Sequence, residues 1–229
     1  MKKRVIVISL GGSLIIPSEI DTKFLEKFKK IISKNTDKNK FVIVCGGGSI
    51  ARKYIFALRE INRNETLQSF AGISATRMNA RFMSYFFDAN QKYGIPHSMR
   101  IIKKYLRKKD VVFCGALEYK PHRTSDSTAV ELAKKFKTIF INLTDVQGLH
   151  DKNPKEHKDA KFIPKISWRD FSNMANKIKF KPGQHFVLDQ TASKEIMKNK
   201  ITTYIIGKDM NQLDNILKNK KFKGTIIDG

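Results

Sequence analysis

The sequence predicts an α/β protein: a mostly parallel sheet with helices on both faces. Short apolar runs alternate with longer segments whose apolar residues recur at helical spacing. Several of those runs end in glycine or small polar residues, and ligands of an open α/β sheet bind beyond the carboxyl ends of its strands. A chain of 229 residues, 41% of them apolar, is long enough for one well-buried core of this class.

Taken in order, Arg4–Leu10 is the first strand and runs into Gly11-Gly12-Ser13. Residues 21–32 place Phe24, Leu25, Phe28, Ile31 and Ile32 on one helical face. A second strand over 41–45 leads into Gly46-Gly47-Gly48, then a helix over 49–61 carrying Ile50, Tyr54, Ala57, Leu58 and Ile61. A long helix is expected over 72–93, with TRMNARFMSYFF at its centre. Val111–Cys114 is the third strand, followed by a helix over 124–136 and a strand over 138–143. The stretch 151–188 has the turn residues and charges of an exposed excursion, then a short helix, WRDFSNMANKI, anchored by Trp168. A helix over 191–198, a strand over 202–206 and a last edge strand over 224–227 finish the chain. No repeat or low-complexity linker interrupts it, so one continuous domain is expected.

The longest apolar runs fall far short of a membrane span, and Met1-Lys2-Lys3-Arg4 does not lead into a signal peptide. Cys45 and Cys114 each end an apolar run and read as buried thiols of a reducing cytoplasm. The net charge of +24 raises the question of a nucleic-acid partner. The lysines are spread along the whole chain, however, and the longest basic cluster, KNKKFK, has no repeating pattern. A solvated basic surface that attracts anionic substrates is the expectation, without specific nucleic-acid binding.

Glycine lets a backbone approach a ligand that a β-carbon would hold off, and a helix opening after glycines presents bare N–H groups to an anion. Gly46-Gly47-Gly48 is the stronger of the two glycine turns, because Arg52 follows on the first turn of the helix with forked donors suited to phosphate. Neither the Walker A pattern nor G-x-G-x-x-G fits either turn. Thr124-Ser125-Asp126 is first a helix cap, and Asp189 likewise stands at a helix start. The segment INLTDVQGLHDKNP, residues 141–154, supplies a fourth polar strand end.

The order of these pieces resembles the amino acid kinase superfamily, and within it the archaeal-type uridylate (UMP) kinases. The likeness runs nearly end to end: GGS after the first strand, GGG-x-x-AR-x-Y at 46–54, TR-x-NA at 76–80, the turn at 124–126 and TDV-x-G at 144–148. VLDQTASKEI at 187–196, TTYIIGKD at 202–209 and a terminal GT-x-I at 224–227 continue it. The resemblance implies a three-layer αβα sandwich that transfers the γ-phosphoryl of ATP to UMP in pyrimidine nucleotide synthesis. It further implies magnesium carried by the nucleotide, no metal held by the protein itself, a cytoplasmic location and assembly as a hexamer. An acceptor-side lobe over about 1–140 and a nucleotide-side lobe over about 141–229 would share the single domain 1–229.

By that likeness Ser9, Gly11, Gly12, Arg52 and Asp126 are the catalytic candidates. ATP would meet Gly12, Ser13, Gly48 and Arg52, with Thr144, Asp145, His150 and Asn153 lining the adenosine site. UMP would meet Gly47 and Ser69, and the stretch Tyr119, Lys120, Pro121, His122, Arg123, Thr124 and Ser125. The chain departs from the family pattern at several of these positions. Ser9 stands where many relatives carry a charged residue, often lysine. Ser69 replaces an acid near the ribose, Gln147 interrupts the usual N-V-D-G, and His150 and Asn153 replace a tyrosine and an aspartate. Arg123 is an added cation beside the acceptor pocket that could supply the charge missing at Ser9. The same sequence also admits a kinase of this fold acting on another small phosphate or carboxylate, or a catalytically weak nucleotide-binding regulatory protein.

Overall fold

The computed structural model describes residues 3–89, 94–121, 123–177 and 188–229. Its strands are β1 (Arg4–Leu10), β2 (Asn39–Cys45), β3 (Val111–Cys114), β4 (Phe140–Leu143), β5 (Leu149–His150), β6 (Phe162–Ile163), β7 (Lys165–Ile166), β8 (Thr203–Ile206) and β9 (Thr225–Ile227). Its helices are α1 (Gly12–Ile15), α2 (Thr22–Lys34), α3 (Gly48–Glu60), α4 (Glu65–Phe86), α5 (Met99–Leu106), α6 (Ser125–Phe136), α7 (Trp168–Asn176), α8 (Gln190–Asn199) and α9 (Met210–Leu217).

Alternation along β1 fixes the layers, because successive side chains of a strand point to opposite faces. Ile6, Ile8 and Leu10 pack with Phe24, Leu25 and Phe28 of α2, with Ala80 and Met83 of α4 and with Leu213 of α9. Val7 faces the other way, into a cluster with Ile102 of α5, Val130 of α6, Phe171 of α7 and Ile196 of α8. Two helical layers therefore sandwich a seven-stranded sheet of order β3-β2-β1-β4-β8-β9-β7. From β3 to β8 all pairings are parallel, so every loop leaving a carboxyl end emerges at the same edge.

At the periphery the structure differs from the expected elements. Residues 224–227 do not form the edge: β9 runs antiparallel to β8 and is covered in turn by β7, which pairs with it in parallel. The excursion after β4 hides the β5–β6 hairpin as well as β7, strands too short to show a period. The long helix begins at Glu65, where Asn64 caps it by accepting from Leu67 N at 3.0 Å, and not at residue 72. Gly72 thus lies inside the helix, beside Ile55 of α3, where a β-carbon would come within 3.3 Å of Ile55 Cδ1. The end expected for this helix, 90–93, lies outside the described residues. Helices α1, α5 and α9 had no counterpart in the sequence reading.

Trp168 does anchor α7: its indole N–H donates to Ile201 O at 3.0 Å, and the ring packs on the sheet's second face. Cys45 and Cys114 are buried and free. They belong to clusters on opposite faces of the sheet, so no disulfide joins them. Burial pushes the Cys114 thiol up to about 12 and the Cys45 thiol well above its ordinary value.

Candidate active site

The parallel register brings the ends of β1, β2, β3 and β4 together, and the loops that leave them surround a cleft of about 700 Å³. Its floor is made by the two glycine turns, which are locked together. Gly46 N donates to Leu10 O at 2.9 Å and Gly11 N to Leu143 O at 2.9 Å, so each turn continues the sheet. A β-carbon on Gly12 would fall 2.0 Å from Gly48 N, and one on Gly46 would fall 2.4 Å from Gly12 N. Gly48 also has a φ of 63°, in the left-handed region that suits glycine. The glycines therefore serve two ends at once. They border the cleft without a side chain to fill it, and they let two turns approach within a distance that only hydrogen can fill.

One wall is α4 with the loop after β3. The TR-x-NA segment acts here as a set of clamps. Thr76 Oγ1 accepts from Ala116 N at 3.0 Å, and Arg77 donates to Ala116 O at 3.1 Å and to Leu117 O at 2.7 Å. Buried Asn79 donates its amide to Gly46 O at 2.8 Å, tying the triple-glycine turn to the helix. Higher on the wall, Tyr119 meets Phe70 edge-on at 5.0 Å, and its hydroxyl lies 3.1 Å from Thr66 Oγ1. Ser69, Tyr119, Lys120 and Arg123 all border the cleft. Pro121 is exposed and does not border it, and His122 lies outside the described residues.

The start of α6 forms the back. Thr124 caps the helix by accepting from Asp126 N at 3.1 Å and donates its own hydroxyl to Asp189 Oδ2 at 2.6 Å. Asp189 is 4% exposed. It also accepts from Ser127 Oγ at 2.8 Å and caps α8 through Ala192 N at 2.7 Å. One carboxylate thus joins the amino ends of two helices behind the cleft. Beneath them Ser9, fully buried and not itself a cleft surface, donates to Asp126 Oδ1 at 2.6 Å. Burial pushes the Asp126 carboxyl up to about 7; the Ser9 hydrogen bond opposes that rise and the neighbouring Asp189 charge adds to it. Asn142, opposite Ser9 in the register of β1 and β4, also borders the cleft.

The other wall follows β4. Thr144 and Asp145 stand at its end, and Lys155 reaches back from the excursion to pair with Asp145. His150 Nδ1 lies 3.1 Å from Gly148 O, and its ring packs on Phe162 with centroids 5.5 Å apart. Asn153 borders the cleft while its side chain is engaged in its own turn, donating to Glu156 at 2.7 Å and accepting from Lys155 N at 3.1 Å.

Cations surround this floor, and most are already matched. Arg123 is held by Glu131 at 2.8 Å, with Lys120 3.6 Å from the same carboxylate and 2.5 Å from Glu118. Lys152 is paired with Asp159 at 2.5 Å. Among the described residues Arg52 reaches only a carbonyl, Pro17 O at 3.5 Å, and Lys177 borders the cleft with no ion pair. The structure thus collects Gly11, Gly12, Ser13, Gly47, Gly48, Arg52, Asp126, Thr124 and Ser125 around one floor. Thr76, Asn142, Lys155 and Lys177 were not singled out as site residues from sequence. TR-x-NA was the one available signal, since it placed Thr76 and Asn79 in a motif without a role.

Chemically, such a cleft can hold two anionic groups end to end: helix-start amides and a free guanidinium on one side, a poised carboxyl beneath. The amino acid kinase family profile matches residues 4–207. The uridylate kinase of Thermoplasma volcanium is 34% identical over 224 residues, covering 97% of each chain. That of Thermococcus sibiricus is 31% identical over 225 residues, covering 97% of this chain and 99% of its own. The crystal structure of uridylate kinase from Archaeoglobus fulgidus superposes with a TM-score of 0.82 at 31% identity, over 98% of this chain and 99% of that one. A UMP kinase from Ureaplasma parvum, 23% identical, shares the fold with a TM-score of 0.80. Glycine turns, clamping helix and capped carboxylates are thus built on a backbone that matches end to end, and the chain belongs to the amino acid kinase family.

Proposed function

We propose that the chain is a UMP kinase, which transfers the γ-phosphoryl of ATP to the phosphate of UMP and releases UDP and ADP in pyrimidine nucleotide synthesis. An oxygen of the UMP phosphate forms the new bond to Pγ as the bond from Pγ to the β-bridging oxygen breaks. No covalent protein intermediate is needed, so positioning and charge neutralisation carry the rate. The observation that supports this most is the interlocked pair of glycine turns between two unlike walls, with Arg52 at the cleft and Asp126 beneath it. Gly47 would face the UMP phosphate, and Gly12, Ser13 and Gly48 the triphosphate. Ser69 and the wall from Tyr119 to Ser125 would hold the acceptor nucleoside. Thr144, Asp145, His150 and Asn153 would hold adenosine.

Arg52 would meet the oxygens of the transferring group from the first turn of α3, where the helix dipole also favours negative charge. Ser9 would act through Asp126, aiming its carboxyl by the 2.6 Å hydrogen bond. Among the described residues no three His, Cys, Asp or Glu side chains cluster to hold a metal. Magnesium would arrive on the nucleotide and neutralise its phosphate oxygens, with the Asp126 carboxyl bordering the same cleft.

Two lobes of one domain, about 1–140 and 141–229, would supply the acceptor and nucleotide walls. Tyr54 and Phe56 on α3 and Met78 and Tyr85 on α4 are exposed, apolar surface that other copies would cover in a hexamer. Free buried thiols fit a cytoplasmic setting, and among the described residues no helix is long and apolar enough to cross a membrane.

A coupled ADP-release assay with ATP, magnesium and a panel of acceptors tests the reading. The panel comprises UMP, CMP, dTMP, AMP, isopentenyl phosphate, acetylglutamate and carbamate. UMP is expected to be the best acceptor. Preference for a non-nucleotide would sink the assignment, and no turnover with any acceptor would favour a nucleotide-binding role.

A further inference from the structure

At the other end of the sheet, where β1, β2 and β3 begin and α5 and α6 finish, lies a second hollow of about 680 Å³. Lys3, Arg4, Lys40, Lys103, Arg107 and Lys137 border it, and no acidic residue does among the described residues. Val5, Leu106 and Phe136 give it apolar walls. Asp110, outside the hollow, pairs with Lys3 at 2.7 Å and lies 3.8 Å from Lys40. Arg4, Lys103, Arg107 and Lys137 have no carboxylate partner among the described residues.

Helix dipoles account for part of this: Lys103, Arg107 and Lys137 stand at the carboxyl ends of α5 and α6, where cations are favoured. Lys40 likewise donates to Leu106 O at the end of α5, and Asp110 holds Lys3, but neither accounts for Arg4, the first residue of β1, which converges on the same space. Four cations without a carboxylate partner among the described residues thus share one hollow, and their summed field attracts an anion. The volume lies within the range of roughly 300–1,000 Å³ typical of small-molecule sites. The charge surrounds a hollow instead of following a groove, which favours a compact ligand over a nucleic-acid strand.

We propose that this hollow is a second binding site, for a ligand that carries a phosphate chain and is no larger than a nucleotide. The phosphates would sit among Arg4, Lys103, Arg107 and Lys137, and any flat or apolar part against Phe136 and Leu106. The site is separate from the cleft, and its existence does not depend on the reaction proposed there.

Site-resolved lysine acetylation, read by mass spectrometry, tests the proposal on the whole protein. With tripolyphosphate or UTP present, acetylation of Lys103 and Lys137 is expected to slow at least about fivefold, the scale of one close charge contact in water. Lys23 and Lys27, exposed on α2 and away from the hollow, should be unaffected. Arg107→Glu, an exposed substitution outside the cleft, should abolish the protection. Equal protection by both ligands assigns the site to the phosphate chain alone, and stronger protection by UTP assigns it to a nucleotide. No protection, or the same protection at Lys23 and Lys27, would overturn the site. Protection by single-stranded oligouridylate at tenfold lower concentration than either small ligand would overturn the compact-ligand assignment.

Discussion

Replacing Asp126 by Asn separates what this carboxyl costs the fold from what it gives the reaction. The side chain is isosteric, and Ser9 can still donate to the amide oxygen from the position where it now meets Oδ1 at 2.6 Å. What changes is charge. Burial lifts the carboxyl from 3.8 to about 7. At about 1.36 kcal/mol for each unit, the folded state disfavours the charged form by about 4 kcal/mol. Because Asp126 is partly open to the cleft, solvent screens this, and about 2 kcal/mol is the better figure.

The sign follows from proton linkage. Below pH 3.8 both the folded and the unfolded chain are protonated at this position, and it contributes nothing. As pH rises to about 7, the folded chain keeps a proton that the unfolded chain gives up, so stability falls through this window. Above it the penalty is complete. Asp126→Asn removes the penalty, so its advantage over wild type should be near zero at pH 4 and largest at pH 8. For a chain of this size, about 2 kcal/mol corresponds to roughly 4–8 °C in Tm. Scanning calorimetry at physiological ionic strength, where the Debye length is about 8 Å, limits the opposing effect of adding to a net charge of +24. Turnover should move the other way, with kcat down by about a hundredfold or more if Asp126 organises the charge around the transferring group. A Tm difference that is the same at pH 4 and pH 8, or a variant less stable at pH 8, would refute the reasoning.

Arg52→Ala should lower kcat/KM by at least about tenfold, roughly 1.4 kcal/mol, in the coupled assay. Arg123→Ala should cost less, and mainly in KM, since Glu131 already holds that guanidinium at 2.8 Å; the reverse order would mean that substrate draws Arg123 away. Gly12→Ala should destabilise by about 3 kcal/mol or more in urea, because its β-carbon has no room beside Gly48 N. Asp189→Ala should cost about 3 kcal/mol by the same measure, leaving Thr124 and Ser127 without their acceptor, and an unchanged midpoint would deny its role as a bracket. Cys45 and Cys114 should react with a thiol reagent only on unfolding, and fast labelling of the native protein would contradict their burial.

The sheet could be read from the chain because its physics is local. β1 and β3 were placed with their observed bounds, since long apolar runs ending in glycine or cysteine leave little choice of register. What escaped was set by tertiary partners. Strands β5, β6 and β7 have two residues each and exist only because another strand pairs with them. The start of α4 was missed because Gly72 reads as a break, although its missing β-carbon is what lets the helix lie close to Ile55. Helix α9 was passed over even though Asp209 caps it and Met210, Leu213 and Ile216 follow helical spacing.

In the candidate site, residue types were readable and their partners were not. Glycines were read for what they offer a phosphate, and half their reason is the other turn. Ser9 was read as a lost charge, and its hydroxyl proves to be the partner of Asp126. Arg123 was read as the compensating cation, but Glu131, eight residues on along α6, already balances it. The same holds around most of the cleft, where Glu118, Asp145 and Asp159 match Lys120, Lys155 and Lys152. An entering phosphate must therefore draw these cations away from carboxylates, a near-even exchange for exposed pairs of this kind. Arg52 requires no such exchange: among the described residues its guanidinium reaches only the Pro17 carbonyl, at 3.5 Å, so its charge would be open to an anion at the neighbouring glycine turn. A cation for a phosphate entering this cleft would thus come most readily from α3, across the cleft floor, and not from the loop that carries Arg123.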